Sequence, residues 1–104
     1  FKDLLEKRFI DLHQVKDYAN LLNISPNYLN EVIKTSINVS AKELIQERII
    51  LEAKRILLFS NKSLKEIGFD LGFEDPSHFS KFFKSYAGVS AQEFRNLSGK
   101  GQKP

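Results

Sequence analysis

The chain has 104 residues, of which 41% are hydrophobic, and this suits one small domain or two very small units that share a core. Cysteine is absent, which excludes a disulfide scaffold, a cysteine-type zinc site and a thiol nucleophile. The formal net charge of +3 favours a polyanionic partner, although many ordinary protein surfaces carry a similar balance.

Apolar residues recur at helical spacing along the chain, and no stretch alternates in the manner of a half-buried strand. The first helix is predicted from the spacing of Phe1, Leu4, Leu5, Phe9 and Leu12. Six more are predicted at 15–22, 26–36, 41–59, 64–71, 76–86 and 91–97. Residues 98–104 contain two glycines, one proline and no large apolar side chain, so we expect a disordered tail. The sequence therefore predicts an all-α fold of about seven helices.

A short motif occurs twice, as NVSAKEL at residues 38–44 and GVSAQEF at residues 88–94. Gly88 and Asn38 suit the left-handed conformation that closes a helix. Three pairs have the spacing of a capping box at the start of the next helix, namely Ser40 with Glu43, Ser63 with Glu66, and Ser90 with Glu93. We interpret the repeated motif as a structural joint, because Ser90 has no catalytic base nearby in the sequence.

The similarity extends upstream of the joint, so that each copy contains a short helix, a tight turn and a second helix. Ala19 and Gly68 supply small residues where two helices cross, and Asn23 and Gly72 supply turn residues that tolerate a positive φ. This pattern is typical of a helix-turn-helix. We expect two helix-turn-helix subdomains, at residues 1–40 and 60–97, joined by a long central helix at residues 41–59.

Each second helix has a marked start, where a capping residue is followed by proline. An inward apolar stripe leaves short polar and cationic side chains on an open face, which is what base edges and phosphates in a major groove require. The candidate DNA-binding residues are Ser25, Pro26, Asn27, Asn30, Glu31 and Lys34 in the first copy, and Pro76, Ser77, His78, Ser80, Lys81 and Lys84 in the second. A solvated face is the alternative for either helix alone, and the duplication favours DNA binding.

The arabinose-regulator (AraC/XylS) family of bacterial transcription regulators has a C-terminal signature that resembles IGFDLGFEDPSHFSKFFKSYAGVSAQEFR, residues 67–95. The first of that family's two DNA-reading motifs resembles ISPNYLNEVIK, residues 24–34. The resemblance implies two helix-turn-helix subdomains that bind adjacent major-groove segments on one face of double-stranded DNA. It also implies an N-terminal sensing or dimerisation domain elsewhere in the full protein, and contact with RNA polymerase or another transcription component.

Three positions differ from what the resemblance leads one to expect. Glu31 stands where family members often have arginine, and we expect it to point to solvent, with acceptance of a hydrogen bond from cytosine as the alternative. Lys81 replaces a common arginine, which reduces bidentate guanine recognition to a point charge. His78 occupies a position that is usually aromatic, and we expect it to be partly packed, with an edge near the phosphates.

Other functions fit the sequence less well. A helical protein-interaction module would use the apolar surface of the 41–59 helix and would show no salt-dependent binding to duplex DNA. An enzyme is disfavoured, because the sequence lacks a paired-histidine motif, a glycine-rich phosphate loop and converging carboxylates. We expect no cofactor and no metal, since His13 and His78 have no ligand spacing between them.

Two further expectations concern location and the aromatic residues. The sequence has neither a secretory signal nor an apolar run of membrane length, so we expect no membrane contact from this segment and a cytoplasmic location. Six aromatic residues could instead form a base-stacking platform for single strands, but their helical spacing favours a core: Phe69, Phe73, Phe79, Phe82, Phe83 and Tyr86.

Overall fold

The structure, a computed structural model, describes residues 1–97, which form seven α-helices and no β-strand. In chain order the helices are α1 (Lys2–Arg8), α2 (Val15–Leu21), α3 (Pro26–Ile37), α4 (Ala41–Phe59), α5 (Leu64–Asp70), α6 (Pro76–Ala87) and α7 (Ala91–Leu97). The predicted all-α fold is confirmed, and from α2 onward each helix boundary lies within one residue of its predicted position. The tail predicted to be disordered, residues 98–104, lies outside the described residues.

Helix α1 ends at Arg8, although the apolar spacing continues to Leu12. The chain turns there, because the backbone N–H groups of Asp11 and Leu12 both donate to the carbonyl oxygen of Arg8, at 3.0 and 2.8 Å. The carbonyl oxygen of Leu12 in turn accepts a 2.7 Å hydrogen bond from the Tyr18 hydroxyl in α2. Burial raises the pKa of Tyr18 to about 12, so this hydroxyl keeps its proton and remains a donor at neutral pH.

Two compact units divide the chain, Phe1–Ile49 and Ile50–Pro104, and we call them unit 1 and unit 2. Unit 1 contains α1 to α3 and the first part of α4, whereas unit 2 contains the rest of α4 and α5 to α7. The boundary therefore falls inside one continuous helix rather than in a loop.

The core of unit 1 is built from apolar stripes, with α2 packed against α3. Its buried side chains are Leu5, Phe9, Tyr18, Ala19, Leu29, Ile33, Ala41, Ile45 and Ile49. At its edge, the Arg48 guanidinium lies 4.0 Å from the centroid of the Phe9 ring and pairs with Glu6 at 2.7 Å. Burial of each large apolar side chain contributes about 1.5–3 kcal/mol, whereas exposed ion pairs contribute about 0–1 kcal/mol, so the apolar stripes dominate the stability.

Unit 2 repeats this arrangement, with α5 packed on α6 and α6 on α7. Its buried apolar side chains are Ile50, Ala53, Leu57, Ile67, Leu71, Phe79, Phe83 and Ala91. The rings of Phe83 and Phe94 meet edge to face at a centroid distance of 5.7 Å. The Arg95 guanidinium donates to the carbonyl oxygens of Leu57 and Ser60, at 3.1 and 3.3 Å, and so binds carbonyl groups that the end of α4 leaves without helical partners.

The three predicted capping boxes are all present. In each box the serine hydroxyl accepts from the backbone N–H of the glutamate, and the glutamate carboxylate accepts from the backbone N–H of the serine, at distances of 2.8 to 3.1 Å. Asn38 and Gly88 close α3 and α6 in the left-handed conformation, with φ of 61° and 86°. The repeated motif is therefore a structural joint, as predicted, because its residues end one helix and start the next.

Candidate nucleic-acid interface

The same helix-turn-helix geometry occurs once in each unit, as α2 and α3 in unit 1 and as α5 and α6 in unit 2. Asn23 and Gly72 occupy the turns with positive φ values of 58° and 91°. The residue after each turn donates its backbone N–H to the first helix, from Ile24 to the carbonyl of Ala19 at 3.0 Å and from Phe73 to that of Gly68 at 2.9 Å. These equivalent bonds show that the predicted duplication is a duplication of structure.

The second helix of each motif is anchored by a buried stripe. Leu29 and Ile33 of α3 are 3% and 6% exposed, and Phe79 and Phe83 of α6 are fully buried. Gly68 brings α5 close to α6, since a Cβ at this position would lie 3.1 Å from the Cβ of Phe79. This packing fixes which face of α3 and of α6 is turned away from the core.

Helix α3 begins at a serine cap. The hydroxyl oxygen of Ser25 accepts from the backbone N–H of Tyr28 at 3.0 Å, and Pro26 is the first helical residue, where its missing N–H removes no helical bond. This fixes the start of the helix, which is the end that recognition helices direct towards base edges.

Helix α6 begins at an aspartate cap that also orients its neighbour. The Oδ1 atom of Asp75 accepts from both the backbone N–H and the hydroxyl of Ser77, at 2.9 and 3.0 Å. These two hydrogen bonds hold the pKa of Asp75 below its ordinary value, with smaller electrostatic contributions from the nearby His78 and Lys81 side chains. Because the Ser77 hydroxyl donates its only proton inside the protein, its oxygen faces the surroundings as an acceptor.

The open face of α3 carries the exposed side chains of Asn27, Glu31 and Lys34, as the sequence predicted. Asn30 differs, because it is half-buried and its Oδ1 atom accepts from the backbone N–H of Ala41 at 2.9 Å. It therefore binds the first turn of α4, and only its amide N–H₂ group remains for an outside partner.

The open face of α6 carries the exposed side chains of Ser77, Ser80, Lys81 and Lys84, while Pro76 is half-buried. His78 is also exposed, so the expectation that it is partly packed was wrong. Successive residues lie about 100° apart around a helix, and the stripe of Phe79 and Phe83 already faces the core, so position 78 lies outside it.

The lysine near the end of each helix lies within electrostatic reach of the next capping box. Hydrogen bonds from Ser40 hold the pKa of Glu43 below its ordinary value, and the charge of Lys34 adds a smaller attraction. Ser90 lowers the pKa of Glu93 in the same way, and Lys84 adds the corresponding attraction. Both lysines thus occupy equivalent electrostatic settings in the two units.

The six aromatic residues considered as a stacking platform, which are part of unit 2, range from fully buried to exposed and do not form a flat platform. Phe79 and Phe83 are fully buried. The ring centroid of half-buried Phe73 lies 5.5 Å from that of Phe79 and 5.4 Å from that of half-buried Phe82. The expectation of a core is confirmed for Phe79 and Phe83. Phe69 and Tyr86 differ, since 48% and 37% of their surface is exposed at the rim.

Metal ligation and membrane insertion find no support in the part of the chain that the structure describes. No group of three or more His, Cys, Asp or Glu side chains in residues 1–97 is arranged to hold a metal ion. In the same range, none of the helices combines the length and the apolar character that crossing a membrane needs. The two histidines, His13 and His78, lie in different units.

Comparison with curated proteins finds operon regulators. The chain is 35% identical over 82% of its length to the raffinose operon transcriptional regulatory protein of Pediococcus pentosaceus, and 34% identical over 90% of its length to the Msm operon regulatory protein of Streptococcus mutans. These matches cover 31% and 34% of the two relatives, so the chain spans about a third of the length of the curated proteins that it matches.

Solved structures with the same fold include two DNA-binding or response-regulator domains. The C-terminal domain of AraT, a response regulator from Geobacillus stearothermophilus, matches with a TM-score of 0.83 at 29% identity, over 91% of this chain and 79% of that one. The DNA-binding domain of AdpA, a global transcriptional factor solved in complex with a target DNA, matches with a TM-score of 0.78 over 96% of this chain and 88% of that one. At 20% identity, this second likeness shows the fold alone.

A family model described as a helix-turn-helix domain matches residues 18–97, which run from within α2 to the end of α7. The family consists of DNA-binding transcription regulators and not of enzymes, in agreement with the function predicted from the sequence. The chain therefore belongs to the AraC-type helix-turn-helix family of DNA-binding transcription regulators.

Proposed function

We propose that this chain regulates bacterial transcription by inserting α3 and α6 into two adjacent major-groove segments of one double-stranded DNA. The observation that carries the proposal is the duplication, because both helices begin at a capped proline, bury one apolar stripe and expose polar side chains at equivalent positions. A solvated surface gives no reason for the same combination to occur twice. The names of the matched operon regulators and the DNA complex of AdpA support the same assignment.

The side chains on the open faces have two proposed roles, contact with phosphates and contact with base edges. Lys34 and Lys84 are exposed near the ends of their helices and suit phosphate oxygens, which attract cations regardless of base sequence. Asn27 and Ser80 are short, exposed and polar, and they suit base edges, to which Ser77 adds the acceptor oxygen oriented by Asp75. Ser25 and Pro26, like Asp75 and Pro76, position these groups by fixing where each helix begins.

His78, Lys81, Glu31 and the N–H₂ group of Asn30 complete the proposed surface. Exposed His78 suits a phosphate or a base edge as a donor, and Lys81 suits the acceptor atoms of guanine. Asn30 contributes only through its N–H₂ group, because its oxygen binds Ala41.

The partners of the full protein belong to the same proposal. Because the matched relatives are about three times as long as the aligned chain, we place a sensing or dimerisation domain N-terminal to it in the full protein. RNA polymerase or another transcription component is the expected protein partner, since the matched relatives are operon regulators. Such a regulator acts on chromosomal DNA and so works in the bacterial cytoplasm.

The test is a titration of duplex DNA against salt. The logarithm of the binding constant should fall linearly with the logarithm of salt concentration, with a slope of about −0.9 for each phosphate neutralised. Lys84→Ala should weaken binding to all duplexes and reduce the magnitude of the slope by about 1. The matched control is Lys7→Ala, which removes an exposed lysine from α1, outside both reading faces.

Two results would contradict the proposal. Binding that is indifferent to salt between low and physiological ionic strength would reject the phosphate contacts. Absence of any duplex binding at low salt would favour the helical protein-interaction module, for which Leu51 and Phe59 of α4, with 62% and 77% of their surface exposed, are available.

A further inference from the structure

The two reading helices present opposite charges at one equivalent position. Glu31 and Lys81 are each the sixth residue of a helix that starts at proline, Pro26 in α3 and Pro76 in α6. Both side chains are exposed. The two helices have the same length and the same type of left-handed C-terminal closure, so the positions correspond without any shift in register.

Glu31 lies in the middle of the open face of α3. Asn27 precedes it by four residues and Lys34 follows by three, and residues at these spacings share one side of a helix. If α3 enters the groove with Asn27 and Lys34, Glu31 enters with them. This geometry favours the base-contacting alternative for Glu31 over the solvent orientation expected from the sequence.

The other acidic side chains with a resolved role show what Glu31 lacks. Glu43 and Glu93 close capping boxes, Glu6 pairs with Arg48, and Asp75 caps α6. No hydrogen bond or ion pair within residues 1–97 engages the carboxylate of Glu31. The carboxylate of Glu31 is therefore available to a partner outside the chain.

A carboxylate inside the major groove accepts hydrogen bonds and donates none. It matches the amino group of cytosine better than that of adenine, because the adenine N7 acceptor beside that amino group repels a carboxylate. It is also repelled by guanine O6 and N7, by thymine O4 and by the phosphates. Lys81 has the opposite chemistry, because an ammonium group donates only and matches the acceptors of guanine.

We propose that Glu31 and Lys81 make the two half-sites chemically different, so that the DNA site is not a direct repeat although the protein motif is duplicated. Glu31 restricts one position of the α3 half-site to a base whose contacted edge offers an amino donor, with cytosine as the expected base. Lys81 selects guanine at the equivalent step of the α6 half-site. The inference rests on the proposed function, since it assumes that both helices enter major grooves.

The experiment begins with duplexes selected from a random library by the 104-residue chain. Binding is then measured for the wild type, Glu31→Lys, Glu31→Ala and Lys7→Ala, on the selected duplex and on duplexes with each base substitution in the α3 half-site. Circular dichroism verifies folding, and Lys81 already shows that this helix position accepts lysine.

The wild type should prefer cytosine over guanine at one α3 position by about tenfold, the size expected of one good base contact. Glu31→Lys should move that preference to guanine and leave the preferences in the α6 half-site unchanged. Glu31→Ala should raise the affinity for duplexes that carry another base at this position, and should thereby remove the preference for cytosine there. Lys7→Ala should keep the wild-type pattern.

If Glu31→Lys and Glu31→Ala strengthen all duplexes by one common factor and keep every base preference, Glu31 faces solvent and the inference is overturned while DNA binding stands. If the wild type binds no duplex at low salt, the proposed function and the inference both fall. A selected site in which both half-sites carry the same base at the equivalent position also overturns the inference.

Discussion

Gly68 and its counterpart in unit 1, Ala19, differ by one methyl group, and the replacement of Gly68 by alanine tests how closely α5 and α6 are packed. A methyl carbon at residue 68 would lie 3.1 Å from the Cβ of Phe79. That atom is fixed to the backbone of α6 and cannot rotate away, so the two helices must separate by a few tenths of an ångström. The equivalent residue in unit 1, Ala19, is fully buried and already carries a methyl group. Leu29, the fourth residue of α3, is smaller than Phe79, the fourth residue of α6.

The expected cost combines two opposing effects. Overpacking of a close-packed contact costs about 1–3 kcal/mol. Replacing glycine by alanine inside a helix contributes about 0.8–1.0 kcal/mol in the opposite direction. Gly68→Ala should therefore lower the free energy of unfolding by about 0–2 kcal/mol, and each kcal/mol should lower the Tm by roughly 4–8 °C for a domain of this size.

Urea denaturation followed by far-ultraviolet circular dichroism measures this change. A second variant, Gly68→Ala with Phe79→Leu, rebuilds the residue pair of unit 1, and the two substitutions should couple favourably by about 0.5 kcal/mol or more in a double-mutant cycle. A Gly68→Ala protein that is more stable than the wild type would refute the packing argument. Additive effects in the cycle would show that the ring of Phe79 does not limit the approach of the helices.

Two further predictions concern pH and DNA spacing. Glu43 and Glu93 have lowered pKa values in the folded chain, so their contribution to stability is present above the ordinary glutamate pKa of about 4.3 and is lost as pH falls through the lower folded values. The urea concentration at the unfolding midpoint should decrease as the pH is lowered from 5 to 3, and it should decrease less in the double variant Glu43→Gln, Glu93→Gln. Equal pH dependence in the two proteins would contradict the role of the capping boxes. An insertion of about 5 base pairs between the half-sites should abolish two-site binding, because it turns one major groove to the far side of the duplex. An insertion of about 10 base pairs should also abolish it, because the second half-site then lies beyond the reach of the chain. Equal affinity for all three spacings would show that the reading helices act independently.

Local hydrogen bonds explain why so much of the fold could be predicted from the sequence. A capping box joins residues three apart, as in Ser63 and Glu66, and a left-handed closure needs only the right residue at one position, such as Gly88. The buried stripes could also be predicted from the spacing of apolar residues, because residues three and four apart share one helix face. Helix boundaries and the core of each unit follow from these short distances.

Longer-range bonds were missed, since spacing along the chain does not encode them. The bond from the Ala41 N–H to Asn30 joins residues 11 apart, and the bond from Arg95 to Leu57 joins residues 38 apart. Both depend on how helices meet in space after the joints have turned the chain. A weak signal existed for Asn30, whose amide could serve either DNA or a helix end, but the choice between them needs the packed structure.

The continuous helix α4 limits how the molecule can be divided into working fragments. The boundary between the two units falls between Ile49 and Ile50, inside α4. A chain cut at this point would lose the helical hydrogen bonds that cross it, which leaves up to four carbonyl and four N–H groups without helical partners. Ile49 and Ile50 are 1% and 4% exposed, so the new ends would also begin at side chains that belong in a core. An expression fragment of unit 2 should therefore keep the whole of α4 and its Ser40 box, whereas one that begins at residue 50 should be frayed at its start and prone to proteolysis.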